Sequence, residues 1–358
     1  MFSNCIKYVR KFSSLKYGLN PSNISAGYHF KGPKTFDVLN GELSYINVLD
    51  AMLGWNLVNE AKRTLKRDVC ASYKHNAPAG VSCLGYSNHN IVKYARRCDE
   101  LSSFGDFISV TGKVDHETAK YLKTQVSDGI IADDFTDEAM DILKKKKSGN
   151  YVILKGYSNS TSKSILNKHN EYEVEYRDHF GVRLWQTKDT SFMLNFENNN
   201  ISRTKEIDAL LGWITLKYTP SNSVNFVYNK QVIGIGAGQQ NRVACIRIAG
   251  EKCRNWNEKY LPWSRDRMTT PTYTQVQYVS DIHVPMVDKY ESSSPLHISY
   301  TMCSDGFLPF KDNIDAAKEY DVDLIVQPGG SIKDDSIKEA ALKQDIEMIY
   351  TGTRAFYH

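Results

Sequence analysis

Asp50-Ala51-Met52-Leu53-Gly54-Trp55 returns further along the chain as Asp208-Ala209-Leu210-Leu211-Gly212-Trp213. Internal similarity of this kind decides the fold, because a unit used twice must bury the same apolar face twice. Beside the first copy, Leu53, Leu57, Ala61 and Leu65 recur at helical spacing, and the apolar run Val69-Cys70-Ala71-Ser72-Tyr73 follows. Each copy leads to a Lys-plus-Pro turn, Lys74 to Pro78 in one and Lys217 to Pro220 in the other. Ser127-Asp128-Gly129 likewise returns as Ser304-Asp305-Gly306, each with a helix-like segment (136–146, 313–320) and a β-rich run (151–154, 324–327) behind it. The order predicts two similar α/β units, over residues 1–154 and 204–358. Residues 155–203, rich in Asn, Ser, Lys and Glu, read as an irregular segment between them.

A chain of 358 residues holds about two domains. It contains no apolar run long enough to span a membrane and no secretory signal, so an intracellular, cytoplasmic protein is expected. No acidic residue precedes Asp37, which admits an organellar targeting arm or a basic approach to an anionic ligand. Seven scattered cysteines, never spaced Cys-x-x-Cys, read as reduced core thiols. With a net charge of only +4, Lys144-Lys145-Lys146-Lys147 reads as a solvated helix end, and neither nucleic acid nor membrane is expected as a partner.

Lys74-His75 is the pair with chemical promise. Pro78 cannot donate to a sheet ladder and biases Ala77 away from helix, so the strand is expected to stop near His75 and turn. If the turn lets both side chains address one substrate, mutual repulsion and partial burial favour a neutral imidazole as base beside an ammonium as acid. In the second unit, Gln231 to Arg242 is a strand entering a Gly-rich loop, whose amides and Arg242 suit an anion. Gln239 occupies the third glycine position of a dinucleotide fingerprint, no Walker loop exists, and His169-Asn170-Glu171 lacks the cysteines of a zinc deaminase.

These stretches resemble one family, AICAR transformylase, the carboxyl-terminal half of the bifunctional enzyme that also carries IMP cyclohydrolase. The resemblance runs through Leu15 to Pro21, Tyr73 to Gly80, Ser102 to Phe107, Ser127 to Ala132, Ser221 to Val224, Gly234 to Arg242, Ser304 to Asn313, Pro328 to Ser331 and Thr353 to His358. It implies formyl transfer from 10-formyltetrahydrofolate to the 5-amino group of AICAR, giving FAICAR and tetrahydrofolate. It also implies a duplicated cytidine-deaminase-like fold without zinc, a homodimer with sites at the interface, and a structural potassium ion. Carried over residue by residue, it makes His75 the base, Lys74 the acid or oxyanion stabiliser, and Asn222 a neutral donor. Lys16, Tyr17, Gly105, Asp128, Arg242, Phe307 and Arg354 would form the AICAR pocket, and Pro309, Phe310, Asp312, Asn313 and Ser331 the folate side.

The chain departs from the family pattern in three respects. Lys16 stands where arginine is usual, so a point charge replaces a fork. Ser22-Asn23 replaces the common His-Gln, and the stretch between Trp256 and Ser304 is short. The transformylase resemblance begins within the first twenty residues, so no cyclohydrolase half is expected and a separate enzyme would close the ring. Two rival readings are a non-catalytic AICAR- or folate-binding homologue and an enzyme using formate and ATP; Lys74, His75 and Asn222 argue against the first and the missing ATP motif against the second.

Overall fold

A computed structural model describes residues 12–20, 22–23, 25–158, 174–187, 201–260 and 298–358. After a small pair, β1 (Ser13–Ser14) and β2 (Gly27–Tyr28), come β3 (Phe36–Asn40), α1 (Tyr45–Leu65), the hairpin β4 (Cys70–Lys74) and β5 (Ala77–Ser82), and α2 (Asn88–Arg97). The first half continues with β6 (Asp106–Val114), α3 (His116–Thr124), β7 (Ser127–Phe135), α4 (Asp137–Leu143) and β8 (Val152–Gly156). The second half repeats the series as α5 (Arg203–Leu216), β11 (Val224–Tyr228), β12 (Gln231–Gly236), α6 (Arg242–Tyr260), β13 (Tyr300–Ser304), α7 (Lys311–Lys318), β14 (Val322–Gln327), α8 (Asp334–Leu342) and β15 (Glu347–Tyr350). Between the halves, β9 (Val174–His179) and β10 (Val182–Thr187) pair as an antiparallel hairpin, so the described part of the connecting segment is more regular than its composition suggests. His169 to Glu171 and most of 256–304 lie outside the described residues.

One mixed eleven-stranded sheet runs through both halves in the order β15-β14-β13-β11-β12-β5-β4-β6-β7-β8-β3. Outward from the β5–β12 seam, each half lays down its hairpin and then three strands parallel to one another. The repeated hexapeptide explains the match. Gly54 leaves no room for a Cβ against Ser109, nor Gly212 against Cys303 and Val227, so both helices lie directly on the sheet. Trp55 and Trp213 bury one residue later, each contributing about 1.5–3 kcal/mol by the usual transfer scale.

The α1 helix starts where Ser44 and Asn47 cap each other at 3.2 Å in both directions, and stops at Lys66 in a left-handed turn. Of its predicted apolar face, Leu57 and Ala61 are fully buried, while Leu53 and Leu65 are half-buried at the margin of the core. The halves are stitched by the Tyr73 hydroxyl donating to the Tyr218 carbonyl at 2.8 Å, and by Glu60, which takes Lys217 and the Tyr218 hydroxyl at 2.6 Å each.

The other two matches do not fall on equivalent elements. Ser127 opens β7 whereas Ser304 closes β13, and Lys74 ends β4 whereas Lys217 caps α5 before its hairpin begins. Local composition repeated there because turn chemistry recurs, not because the positions correspond. All six cysteines among the described residues are free and buried. No described helix is long and apolar enough to cross a membrane.

Candidate functional site

Strand direction gathers the predicted residues at one end of the sheet. Tyr73 faces Phe107, so β6 begins where β4 ends, and β7 and β8, parallel to β6, begin there too. Across the seam Val81 faces Val232, so β12 runs toward the same end. Gly236 then faces Val224 at the start of β11, and Val224 faces Ser304 at the end of β13. Lys16 and Tyr17 are tied nearby, to Leu43 and Tyr45 before and at the start of α1.

His75-Asn76 is a two-residue hairpin turn with φ of 53° and 62°, the mirror-image geometry that suits strand twist. The strand therefore ends at Lys74, and the reversal belongs to this pair rather than to Pro78. Pro78 lies inside β5 opposite Tyr73, where the register shifts and its missing N–H costs the ladder little. Lys74 is half-buried and donates to the Phe104 carbonyl at 2.7 Å, while the His75 side chain is exposed. Gly105 follows with φ 79°, a left-handed conformation that favours glycine. Beneath it, Arg96 grips Asp106 (3.0 Å) and the carbonyls of Ser103 (2.8 Å) and Val126 (3.0 Å), which fixes the loops on both sides.

Asp50 on α1 accepts the Asn76 amide at 2.7 Å. Burial raises its carboxyl to about 6, against the pull of the Asn76 and His75 amides and the His75 charge; Asp128 pushes it further up. Asp128 itself pairs with Lys147 at 2.5 Å. Lys146 reaches Ser127 Oγ at 3.1 Å and lies 4.4 Å over the Tyr151 ring, its amine lowered to about 8 by burial and by Lys147 and Arg96. Two of the four lysines expected to form a solvated helix end thus turn back onto the start of β7, because the chain reverses through left-handed Lys147 and Ser148.

On the second half, Asp305 is a buried hub. Its carboxylate accepts Ser221 Oγ (2.7 Å), the Ser223 amide (2.9 Å) and Ser223 Oγ (3.1 Å), and pairs with Arg242. Arg242 also donates to the Phe307 carbonyl at 3.0 Å. The phosphate-gripping fork expected of Arg242 is therefore already engaged, while Arg354 is exposed, 5.0 Å from the Phe356 ring. The Gly-rich loop is likewise occupied: Gly238 N donates to Pro220 O (2.8 Å) and Gln239 N to Asn222 O (3.3 Å). Gly234 and Gly236 belong to β12, where a Cβ would collide with the α6 backbone at Ala249 and Cys245. Those glycines serve helix–sheet packing rather than anion binding. Asn222 follows a cis peptide and donates its side-chain amide to Gln239 O at 2.9 Å.

The folate-side residues are split. Phe307 and Phe310 are exposed, with Lys333 4.6 Å over the Phe310 ring, and Pro309 and Ser331 are half-buried. Asp312 is exposed, whereas Asn313 is buried and its amide is used on Phe310 O (3.0 Å) and Asp312 Oδ1 (2.8 Å). Among the described residues, no hydrogen bond or ion pair joins the Lys74, His75, Asp128 group to the Asn222, Arg242, Arg354 group. No group of three His, Cys, Asp or Glu among the described residues is placed to hold a metal ion. Asp305, a buried carboxylate at this edge, is already filled by N–H and O–H donors and a guanidinium.

Residues 3–252 match the family described as AICARFT/IMPCHase bienzyme. The chain belongs to that family. It is 33% identical over 356 residues to the bifunctional purine biosynthesis protein PurH of Petrotoga mobilis, covering 97% of this chain and 59% of the relative. The PurH proteins of Persephonella marina and Prochlorococcus marinus are 31% and 30% identical over 98% of this chain, and 60% and 62% of their own lengths. The chain thus spans about three-fifths of the curated relatives it matches.

Within this AICARFT/IMPCHase member, sequence reading missed Asp50, Asp305 and the returning lysines. Asp50 and Asp305 each stood inside a quoted repeat, but a one-letter match carries no information about what the carboxylate faces.

Proposed function

We propose that the protein transfers the formyl group of 10-formyltetrahydrofolate to the 5-amino group of AICAR, giving FAICAR and tetrahydrofolate in purine biosynthesis. The observation that carries this reading is the gathering of Lys74-His75, Asn222 and Arg354 at one sheet end in a chain of this family. In the step, the AICAR nitrogen forms a bond to the formyl carbon, the bond from that carbon to the folate N10 breaks, and one proton moves from the amine to N10. Exposed His75 takes the amine proton, because the acceptor amine is conjugated and weakly nucleophilic. Lys74, held at the Phe104 carbonyl, supplies the proton or steadies the oxyanion, and the second N–H of the Asn222 amide is the neutral donor.

Lys16, Tyr17, Gly105, Asp128, Phe307, Arg242 and Arg354 would receive AICAR, with exposed Arg354 the leading phosphate contact and Arg242 fixing the loop beside it. Pro309, Phe310, Asp312 and Ser331 would take the folate, with Asn313 shaping their turn. The same reading makes the two halves deaminase-like units and the assembly a homodimer, supported by the repeated element order and by the exposed Phe104, Phe307 and Phe356 rings at this edge.

The test is an absorbance assay of purified protein with AICAR and 10-formyltetrahydrofolate, with product analysis for FAICAR and IMP. FAICAR formation supports the reading. AICAR binding without turnover would replace it by that of a non-catalytic homologue.

A further inference from the structure

The two halves hold their hairpin turns by one device. Asp50 Oδ1 accepts the Asn76 amide at 2.7 Å, and Asp208 Oδ1 accepts the Lys230 amide at 2.6 Å. Both turns place two residues in the left-handed region, His75-Asn76 at 53° and 62° and Asn229-Lys230 at 45° and 66°. For residues other than glycine that conformation costs on the order of 1–2 kcal/mol, and a buried carboxylate facing the turn amides offsets it. What the turns carry differs. The first presents His75 at the end of the sheet where the predicted residues gather; the second presents Asn229 at the opposite end, since β11 runs away from Ser304.

We infer that Asp50 is the positioning residue of His75, locking through the turn backbone the direction in which the imidazole leaves the chain. This rests on the reading of His75 as the base. A catalytic histidine is ordinarily steered by a partner on its ring. No hydrogen bond to the His75 ring occurs among the described residues, so the turn backbone is what sets the direction of its Cα–Cβ bond. Asp208 is a built-in control, with the same bond and the same kind of turn but no histidine.

The experiment compares Asp50→Ala, Asp50→Asn and Asp208→Ala with the unaltered protein, by melting temperature, AICAR affinity, kcat and KM in the formyl-transfer assay, and NMR of histidine-labelled protein. Asp50→Ala is expected to lower kcat about 100-fold, the effect of misplacing a reacting group by about an ångström, with AICAR affinity within about twofold. Asp208→Ala should lower the melting temperature comparably and leave kcat within about threefold. Asp50→Asn keeps an acceptor oxygen and should recover most of kcat, which also guards against poor folding of the alanine variant. The His75 ring signals should move toward random-coil averaging in Asp50→Ala and stay put in Asp208→Ala, whether or not turnover is seen. Equal kcat losses in the two alanine variants, or unmoved His75 signals, would overturn the inference. An unaltered protein with no formyl transfer would instead sink the functional reading, leaving the NMR comparison to judge Asp50.

Discussion

Arg242 at the start of α6 and Asp305 just beyond β13 form an ion pair in which the aspartate is fully buried and the arginine nearly so. The pair joins the Gly-rich loop to the segment carrying Phe307, and Ser221 and Ser223 fill the remaining carboxylate positions. Removing one member strands the other charge, which costs about 3–5 kcal/mol. Asp305→Ala is therefore expected to lose that much stability, read as a shift in the urea midpoint at constant slope; a loss below about 1 kcal/mol would mean that the pair is solvated.

Gly306 lies so close to this pair that a Cβ would overlap the Arg242 guanidinium and crowd Phe356. Gly306→Ala should cost about 1–3 kcal/mol by overpacking. It should also weaken AICAR binding, since Arg242 and Phe356 must shift together. Calorimetric titration of AICAR, beside the melting curve, separates the two effects.

Exposed at a rigid turn, His75 has little folding work to do. His75→Ala is expected to lower kcat by about 10²–10⁴ while AICAR affinity and melting temperature stay near those of the unaltered protein. Affinity falling in step with rate would make His75 a binding residue instead.

Burial raises the Asp208 carboxyl to about 7, against the Lys230 and Asn229 amides and the Lys205 charge. A carboxyl raised above its unfolded value binds its proton more tightly when folded, so its contribution is full below about pH 4 and is lost as pH climbs to about 7. Asp50, raised to about 6, acts in the same direction over a narrower window. Asp208→Asn carries no such titration. Relative to this variant, the unaltered protein should lose a few kcal/mol between pH 4 and pH 8, measured by urea unfolding at each pH. A constant difference would show Asp208 to be ionised throughout.

The residues of the hexapeptide were legible as a repeat, and both copies fall on equivalent helices because Gly54 and Gly212 meet the same steric demand. The Ser-Asp-Gly and Lys-plus-Pro matches were legible in the same way and do not correspond, since short turn sequences recur wherever chains reverse. The Lys74-His75 pair could be picked out by residue type and the strand end was expected near His75, but the expectation leaned on Pro78 for the bend, whereas His75-Asn76 themselves make the turn in the left-handed region, which histidine and asparagine enter more readily than most residues. Arg242 looked free for an anion in the sequence, and only the fold brings Asp305 to it across 63 residues.

Read alone, the sequence determined the α/β class and the family, both of which rest on local periodicity and ordered motifs. Only the tertiary structure decided which end of the sheet collects the candidate site, which arginine is already paired, and which carboxylates hold the turns. Those depend on strand direction and on contacts between residues far apart in the chain, where burial removes water and leaves each charge to the partners the fold provides.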